Sequence, residues 1–227
     1  MMRYIRRQRQ MLGLLLTVLG LSVTACAHQT ASGTYSLSNL SPFERSVFKE
    51  INRARTNPAD YAAFLEATKA QYDALLPKIP GERSQPDDFL QPLYEAIQVL
   101  QATTPLPALR LSRGLSSAAK DHLRDQGLAD TVSHMGSDGS TPEKRISRYG
   151  AWEIGVGENL AHGSSTAQRL AMQLIIDQSN PGRNYRLNIL NPAFSVTGIA
   201  CGNSLQYHNL CVVTFAGKYV EKTAGTP

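Results

Sequence analysis

Two short stretches hold the side chains best suited to chemistry. One is GVGENLA, residues 155–161, in which Glu158 interrupts an apolar, glycine-flanked segment. The other is SHMGSDGSTPEKR, residues 133–145, with His134 at the head of a polar loop. A neutral imidazole and a carboxylate can share a divalent metal, or they can divide the work of a general acid and a general base. They can also do neither. A loop histidine can be a solvated hydrogen-bonding group, and a glutamate beside Asn159 in a glycine-rich turn can simply receive backbone N–H groups. Ser133 and Ser137 flank His134, and Ser179 and Ser195 lie further on. None stands in G-x-S-x-G or another frame that activates a nucleophile, so they read as turn and capping residues.

For His134 and Glu158 to act together, the surrounding elements must bring a loop and a strand to one place. Ser41-Pro-Phe-Glu44 has capping-box spacing and opens a helix in which Phe43, Val47, Ile51 and Ala54 recur at helical intervals. Asn57-Pro58 starts a second helix through Tyr61, Phe64 and Leu65, with proline at its first position. KIPGERSQPDD, residues 78–88, reads as a loop, and residues 88–102 as a helix with Leu90, Leu93, Tyr94, Ile97 and Leu100 on one side. Ser112 caps a helix through Leu115, Ala118, Ala119, His122 and Leu123 that ends near Gly127. Asp138-Gly139-Ser140 is a chain reversal. Thr141, with Pro142 and Glu143 behind it, opens a short helix, and residues 165–178 form an apolar one. Strands are expected over 152–161, 194–200 and 210–217. Helices first and strands mostly last point to an α+β fold, an antiparallel sheet flanked by helices.

The beginning of the chain carries a different signal. MMRYIRRQRQ holds four arginines and no acid, and the apolar run MLGLLLTVLGLSV leads to Val23-Thr-Ala-Cys26. This is the layout of a secretory signal peptide, with a run too short to span a membrane comfortably. It closes on a lipobox in which Cys26 becomes the lipidated first residue. The expected organisation is a lipoprotein signal over 1–25, a flexible Ser/Thr/Gly-rich tether over 26–40, one domain over 41–220 and a tail over 221–227. Several acyl chains on Cys26 would anchor the chain to a membrane. Ala27 is not the aspartate that retains lipoproteins at the inner membrane, so outer-membrane sorting is expected in a Gram-negative cell. Without residues 1–25 the chain keeps 19 basic side chains (23 minus 4) against 18 acids, a net charge of +1. That balance gives no reason to expect a nucleic-acid partner. With Cys26 lipidated, Cys201 and Cys211 remain as an even pair in an exported chain, which reads as a disulfide around the polar loop GNSLQYHNL; two buried free thiols are the alternative.

Taken together, SHMGSDGSTPEKRISRYG (133–150), Trp152 followed by GENLAHG (157–163), NYRLNILNPAFSVTGIACG (184–202) and CVVTFAG (211–217) resemble the CAP superfamily. That superfamily comprises cysteine-rich secretory proteins, antigen 5 of venoms and plant pathogenesis-related proteins. The likeness is greatest to bacterial SCP-like extracellular proteins and extends over about residues 43–220. The resemblance implies a three-layer α-β-α sandwich with a central antiparallel sheet. It also implies a cleft where two histidines and two acids converge. His134 matches the first histidine, Glu158 the GENL glutamate, and Asp177 in AMQLIIDQS the second acid. Where bacterial relatives read G-H-R-x-N-I-L, this chain reads Asn184-Tyr-Arg-Leu-Asn-Ile-Leu190, so Tyr185 stands at the second histidine position. A neutral phenol is a poor zinc ligand. Zinc binding through His134 and Glu158 is therefore weakened, with His208 the imidazole that could compensate. The expectation is instead a polar cluster in which Tyr185 donates to Glu158 or His134.

The function expected on this basis is an exported, non-enzymatic binding module at the cell envelope, with a lipid, a sterol or another envelope protein as ligand. The alternatives are a metal-assisted or Ser/His peptidase-like hydrolase using the cleft, and a purely structural envelope protein. The apolar side of 88–102 could line a lipid groove or simply pack in the core, and the inserted segment 78–110 could cover the cleft. Trp152 is expected in the core or the cleft wall, and Asn52 and Arg53 in structural roles.

Overall fold

A computed structural model describes residues 35–75, 87–127 and 132–223. The signal peptide, the lipidation site Cys26 and most of the tether lie outside the described residues, as does the end of the tail. The described residues all fall in the unit Thr34–Pro227. Among them no helix is long and apolar enough to cross a membrane.

In chain order the elements are α1 (Pro42–Thr56), α2 (Pro58–Leu75), α3 (Asp87–Ala102), β1 (Arg110–Leu111), α4 (Arg113–Gln126), α5 (Pro142–Ser147), β2 (Gly150–His162), α6 (Ala167–Ile176), α7 (Asn184–Ile189), β3 (Val196–Ser204) and β4 (His208–Glu221). A short 3-10 turn, Leu37–Asn39, precedes α1. The sheet order is β1-β3-β4-β2. β2 and β3 each pair antiparallel with β4, and only the two-residue β1 runs parallel, against Val196 and Thr197 of β3.

Alternation along the strands sorts the helices into two layers, because successive side chains leave a strand on opposite faces. Ala161, Ile199, Val213 and Phe215 point into a large apolar core shared with α1, α2, α3, α6 and Ile189 of α7. Leu160, Ala200 and Val212 point the other way, against Ala119 of α4, and Val196 and Ala216 meet Leu115 and Ile146 of α4 and α5. The result is the expected α-β-α sandwich, an α+β fold. α4 lies so close to the sheet that a β-carbon on Gly198 would stand 2.1 Å from backbone atoms of Leu115 and Ser116. Only glycine permits that approach. Thr214 completes the junction by donating its hydroxyl to the Leu115 carbonyl at 3.1 Å.

The helix starts carry the caps that their residues suit. Ser41, Ser112 and Thr141 accept hydrogen bonds from the backbone N–H groups of Glu44, Leu115 and Lys144, relieving donors that have no partner within the helix. Two buried arginines tie the connections to the helices. Arg55 donates to the carbonyls of Pro107, Ile189, Asn191 and Phe194, and Arg186 to those of Ile175, Ile176 and Pro92. Asn52 clasps Leu109 through both its backbone groups, and Arg53 pairs with Asp60. Cys201 and Cys211 face each other across β3 and β4 and form a disulfide.

Several expectations are settled or change. Leu93, Ile97 and Leu100 of α3 are buried core residues, so this stripe packs inside, while Tyr94 turns outward at 45% exposure. Residues 184–189, read only as part of a strand-leading motif, form α7, and β3 begins at Val196. The apolar helix stops at Ile176, where Asp177 adopts left-handed backbone (φ 54°). β2 is longer than expected and contains a bulge between Glu153 and Val156, with Ile154 at φ 72° and Gly155 at φ 119°.

Candidate functional site

Glu158 is delivered by β2, in register with Thr214 of β4, on the face that looks toward α4 and α5. Its side chain is 1% exposed. The charge is balanced by Arg145 of α5, itself 2% exposed, whose Nη2 donates to both carboxylate oxygens at 2.9 and 2.8 Å. The same guanidinium reaches the carbonyls of Ser140 at 2.7 Å and His134 at 3.0 Å. Arg145 thus holds the strand carboxylate and both ends of the His134 loop.

The rest of that loop is fixed by one polar face of α4, where His122, Asp125 and Gln126 stand three and four residues apart. His122 Nε2 lies 2.8 Å from the Ser133 carbonyl, Gln126 Oε1 accepts from Ser133 N–H at 2.7 Å, and Asp125 accepts from both the N–H and the hydroxyl of Ser137. Burial pushes the His122 imidazole down, so it is neutral and donates from Nε2. Its Nδ1 is one of the few buried polar atoms among the described residues without a hydrogen bond.

With its loop pinned, His134 places Nδ1 2.9 Å from Glu158 Oε1 and Nε2 2.9 Å from the Tyr185 hydroxyl. Glu158, already accepting from Arg145, offers only lone pairs. That assigns the proton to His134 Nδ1 and leaves Nε2 as an acceptor, so Tyr185 is the donor. Burial pushes the Tyr185 phenol up to about 12, which keeps that proton in place at neutral pH. The two rings meet edge to face at 5.7 Å.

Tyr185 is positioned from its backbone. Asp177 Oδ2 accepts from the N–H groups of Tyr185 and Arg186 at 2.8 and 3.4 Å, capping the first turn of α7 from a distance of eight residues. Asn159 donates to the Tyr185 carbonyl at 3.0 Å. Burial raises the Asp177 carboxyl and these N–H groups oppose the shift. Asp177 shares a cavity with His134 and Tyr185 but holds α7 rather than the imidazole.

The cavity measures about 250 Å³, and His134 and Tyr185 both line it. Leu160 and Leu174 form part of its floor, and Asp177, Tyr185, His162 and Tyr207 part of its walls. His162 and Tyr207 are stacked, with ring centroids 3.8 Å apart. His208 does not line it. That residue sits exposed at the β3–β4 turn, opposite Ser204, and the second imidazole of the cavity is His162, from the end of β2. No described residue of 78–110 lines it, and Trp152 lies apart, donating to Ser147 beside the α4–α5 core.

A divalent metal does not fit this donor set. The Nε2 lone pair of His134 receives the Tyr185 proton, and both Glu158 oxygens receive Arg145. Among the described residues, no group of three or more His, Cys, Asp or Glu side chains is placed to hold an ion. Three of the four serines have partners other than His134. Ser133 Oγ accepts from Met135 N–H, Ser137 donates to Asp125 and Ser195 to the Gly217 carbonyl.

Sequence reading missed Arg145, His122 and His162. A histidine inside the apolar stripe Leu115–Ala118–Ala119–Leu123 was a usable sign for His122, because a buried imidazole needs a fixed partner. The other two left no local signal.

The description of the CAP, or cysteine-rich secretory protein, family matches residues 48–215. Among solved structures, an outer surface protein of Borrelia burgdorferi is 22% identical, with a TM-score of 0.42, over 60% of this chain and 96% of that one. An extracellular protein of Bacillus anthracis containing an SCP domain is 22% identical, with a TM-score of 0.39, over 63% of this chain and 45% of that one. A cysteine-rich secretory protein of Staphylococcus aureus is 15% identical, with a TM-score of 0.37, over 63% and 42%. The chain thus spans less than half the length of the latter two. Among curated proteins none matches. The family match takes in most of the chain and all four cluster residues, His134, Glu158, Asp177 and Tyr185: the chain belongs to the CAP, or cysteine-rich secretory protein, family.

Proposed function

We propose that this CAP domain is a non-enzymatic binding module, exported and tethered by lipid at Cys26, that uses its cleft at the cell envelope. The observation that carries this reading is the closed relay Tyr185 to His134 to Glu158, backed by Arg145. A Ser/His hydrolase needs a serine hydroxyl on its imidazole, and a metal-assisted one a metal to polarise the carbonyl. Here the hydroxyl on His134 Nε2 is the Tyr185 phenol, pushed up by burial to about 12, and among the described residues no serine hydroxyl is bonded to the ring. A binding module needs only a formed cavity with a few fixed polar groups, which the relay supplies.

The cavity also bears on the ligand. At about 250 Å³ it lies below the roughly 300–1,000 Å³ of pockets that enclose drug-sized molecules, so it favours a small ligand over an enclosed sterol or long acyl chain. The test is a zinc titration together with a peptidase screen on the full chain. Neither micromolar zinc binding nor peptide cleavage is expected. Zinc binding at micromolar or better that disappears in His134→Ala, or cleavage that disappears in the same variant, would overturn the reading.

A further inference from the structure

The cavity wall beyond the relay has a chemistry that the relay itself does not explain. Four rings, His134, Tyr185, Tyr207 and His162, border it, and Tyr207 is held in orientation by its stack on His162. Gln173, Gln178 and Ser179 line the same space and supply hydrogen-bonding groups of both polarities. Among the described residues no lysine or arginine lines it. Among the described residues the only carboxylate that does, Asp177, spends one oxygen on the backbone of α7.

These features sort ligand classes. An anion would meet a carboxylate and no cation. A cation would meet a single carboxylate, one oxygen of which already serves two backbone N–H groups and which burial pushes toward its neutral form. A purely apolar molecule would cover the free oxygen of the buried Asp177 without giving it a partner, and a polar group buried without a partner costs free energy. A compact neutral molecule with an apolar face and a rim of hydroxyls leaves nothing stranded: the face meets the rings and the hydroxyls meet the amides and the carboxylate. We propose that this cavity binds a single neutral pyranose ring, either as a free sugar or as the end of a glycan. The inference rests on the binding-module reading and names its ligand class.

The test is saturation-transfer NMR and titration calorimetry on the full chain in detergent. The probes are glucose, galactose, mannose and N-acetylglucosamine, and the β1,4-linked dimers of glucose and N-acetylglucosamine. At least one monosaccharide is expected to bind, with affinity reduced about tenfold or more in Tyr207→Ala, as when an aromatic anchor is truncated. Tyr207 stands half-exposed near a hairpin turn, so this variant keeps the fold, and Tyr94→Ala on the distant α3 serves as the unchanged control. A dimer that binds more tightly than its monomer identifies a glycan end, and equal affinity identifies the free sugar. Absence of transfer from every probe at about 10 mM, a concentration at which even millimolar affinity is visible, would overturn the proposal. So would equal binding by wild type and Tyr207→Ala. Either result leaves the non-enzymatic reading standing, whereas dimer cleavage by the wild type would sink that reading and not the sugar contact.

Discussion

The two sides of His134 are built on opposite plans. On one side, Glu158, Arg145 and His122 are buried and charge-balanced, and all but a few of their polar atoms have partners. On the other, Asp177, His162 and Tyr207 face an open cavity with hydrogen-bonding capacity to spare. The difference separates support from reception. A buried ion pair is costly to break and rigidly directional, so it suits the task of holding a loop and a strand together. Groups that line a small cavity keep some of their valences for something that arrives.

The largest break should come from the supporting side. Arg145→Met leaves the Glu158 carboxylate buried without its guanidinium and should cost about 3–5 kcal/mol, as removal of one partner of a buried pair does. Urea unfolding measures it. The double variant Arg145→Met, Glu158→Met should recover most of the loss, because no buried charge then remains.

The next effect is on the receiving side but acts through the backbone. Asp177→Ala removes the acceptor that caps α7 and should cost about 1–2 kcal/mol. It should also loosen Tyr185 from His134, which the His134 ring nitrogen shifts in NMR would register. Asp177→Asn should retain part of the cap.

A pH profile sharpens the contrast further. His122 and His162 are both held below the ordinary value of 6.5, in each case by burial. Each contributes stability that is fully present above pH 6.5 and is lost as pH falls toward its lowered value, since the unfolded chain then binds the proton more readily. Thermal melts should show a decline beginning near pH 6.5, and His122→Gln should remove the His122 share. Asp177 runs the other way. Its carboxyl is raised by burial above the ordinary 3.8, so protonating it stabilises the fold, and that contribution is lost as pH climbs through the raised value.

The smallest expected changes concern the shared residue and the cavity wall. Tyr185→Phe removes one hydrogen bond to an imidazole that is 45% exposed. Water can replace it, so a loss of at most about 1 kcal/mol is expected. Tyr207→Ala should alter stability by less than about 0.5 kcal/mol. A large stability loss from Tyr207→Ala would mean that the cavity wall is scaffolding after all, and the contrast would fail.

What could be read from the sequence follows the range of each interaction. Ser41, Ser112 and Thr141 were legible as caps because their partners lie three residues away. The layers were legible because strand alternation and helical spacing are local patterns. α7 was not, since six residues are too few for a period and its cap comes from Asp177 rather than from a neighbouring serine or threonine. Residue types selected His134 and Glu158, and family resemblance added Asp177 and Tyr185, but neither could say that Asp177 would serve α7. Arg145 escaped because its carboxylate partner lies thirteen residues on, across a turn into another element. His162 escaped because its stacking partner, Tyr207, belongs to another strand connection.

The bulge in β2 has a consequence for crowding. β2 is one margin of the sheet and β1 is the other. A thirteen-residue margin with its N–H and C=O groups in an unbroken row would template pairing with a neighbouring copy, sheet against sheet. Ile154 and Gly155, both at positive φ, interrupt that row and turn it aside, while β1 offers only two residues. Many copies concentrated on one surface would thereby be kept from zipping into fibrils.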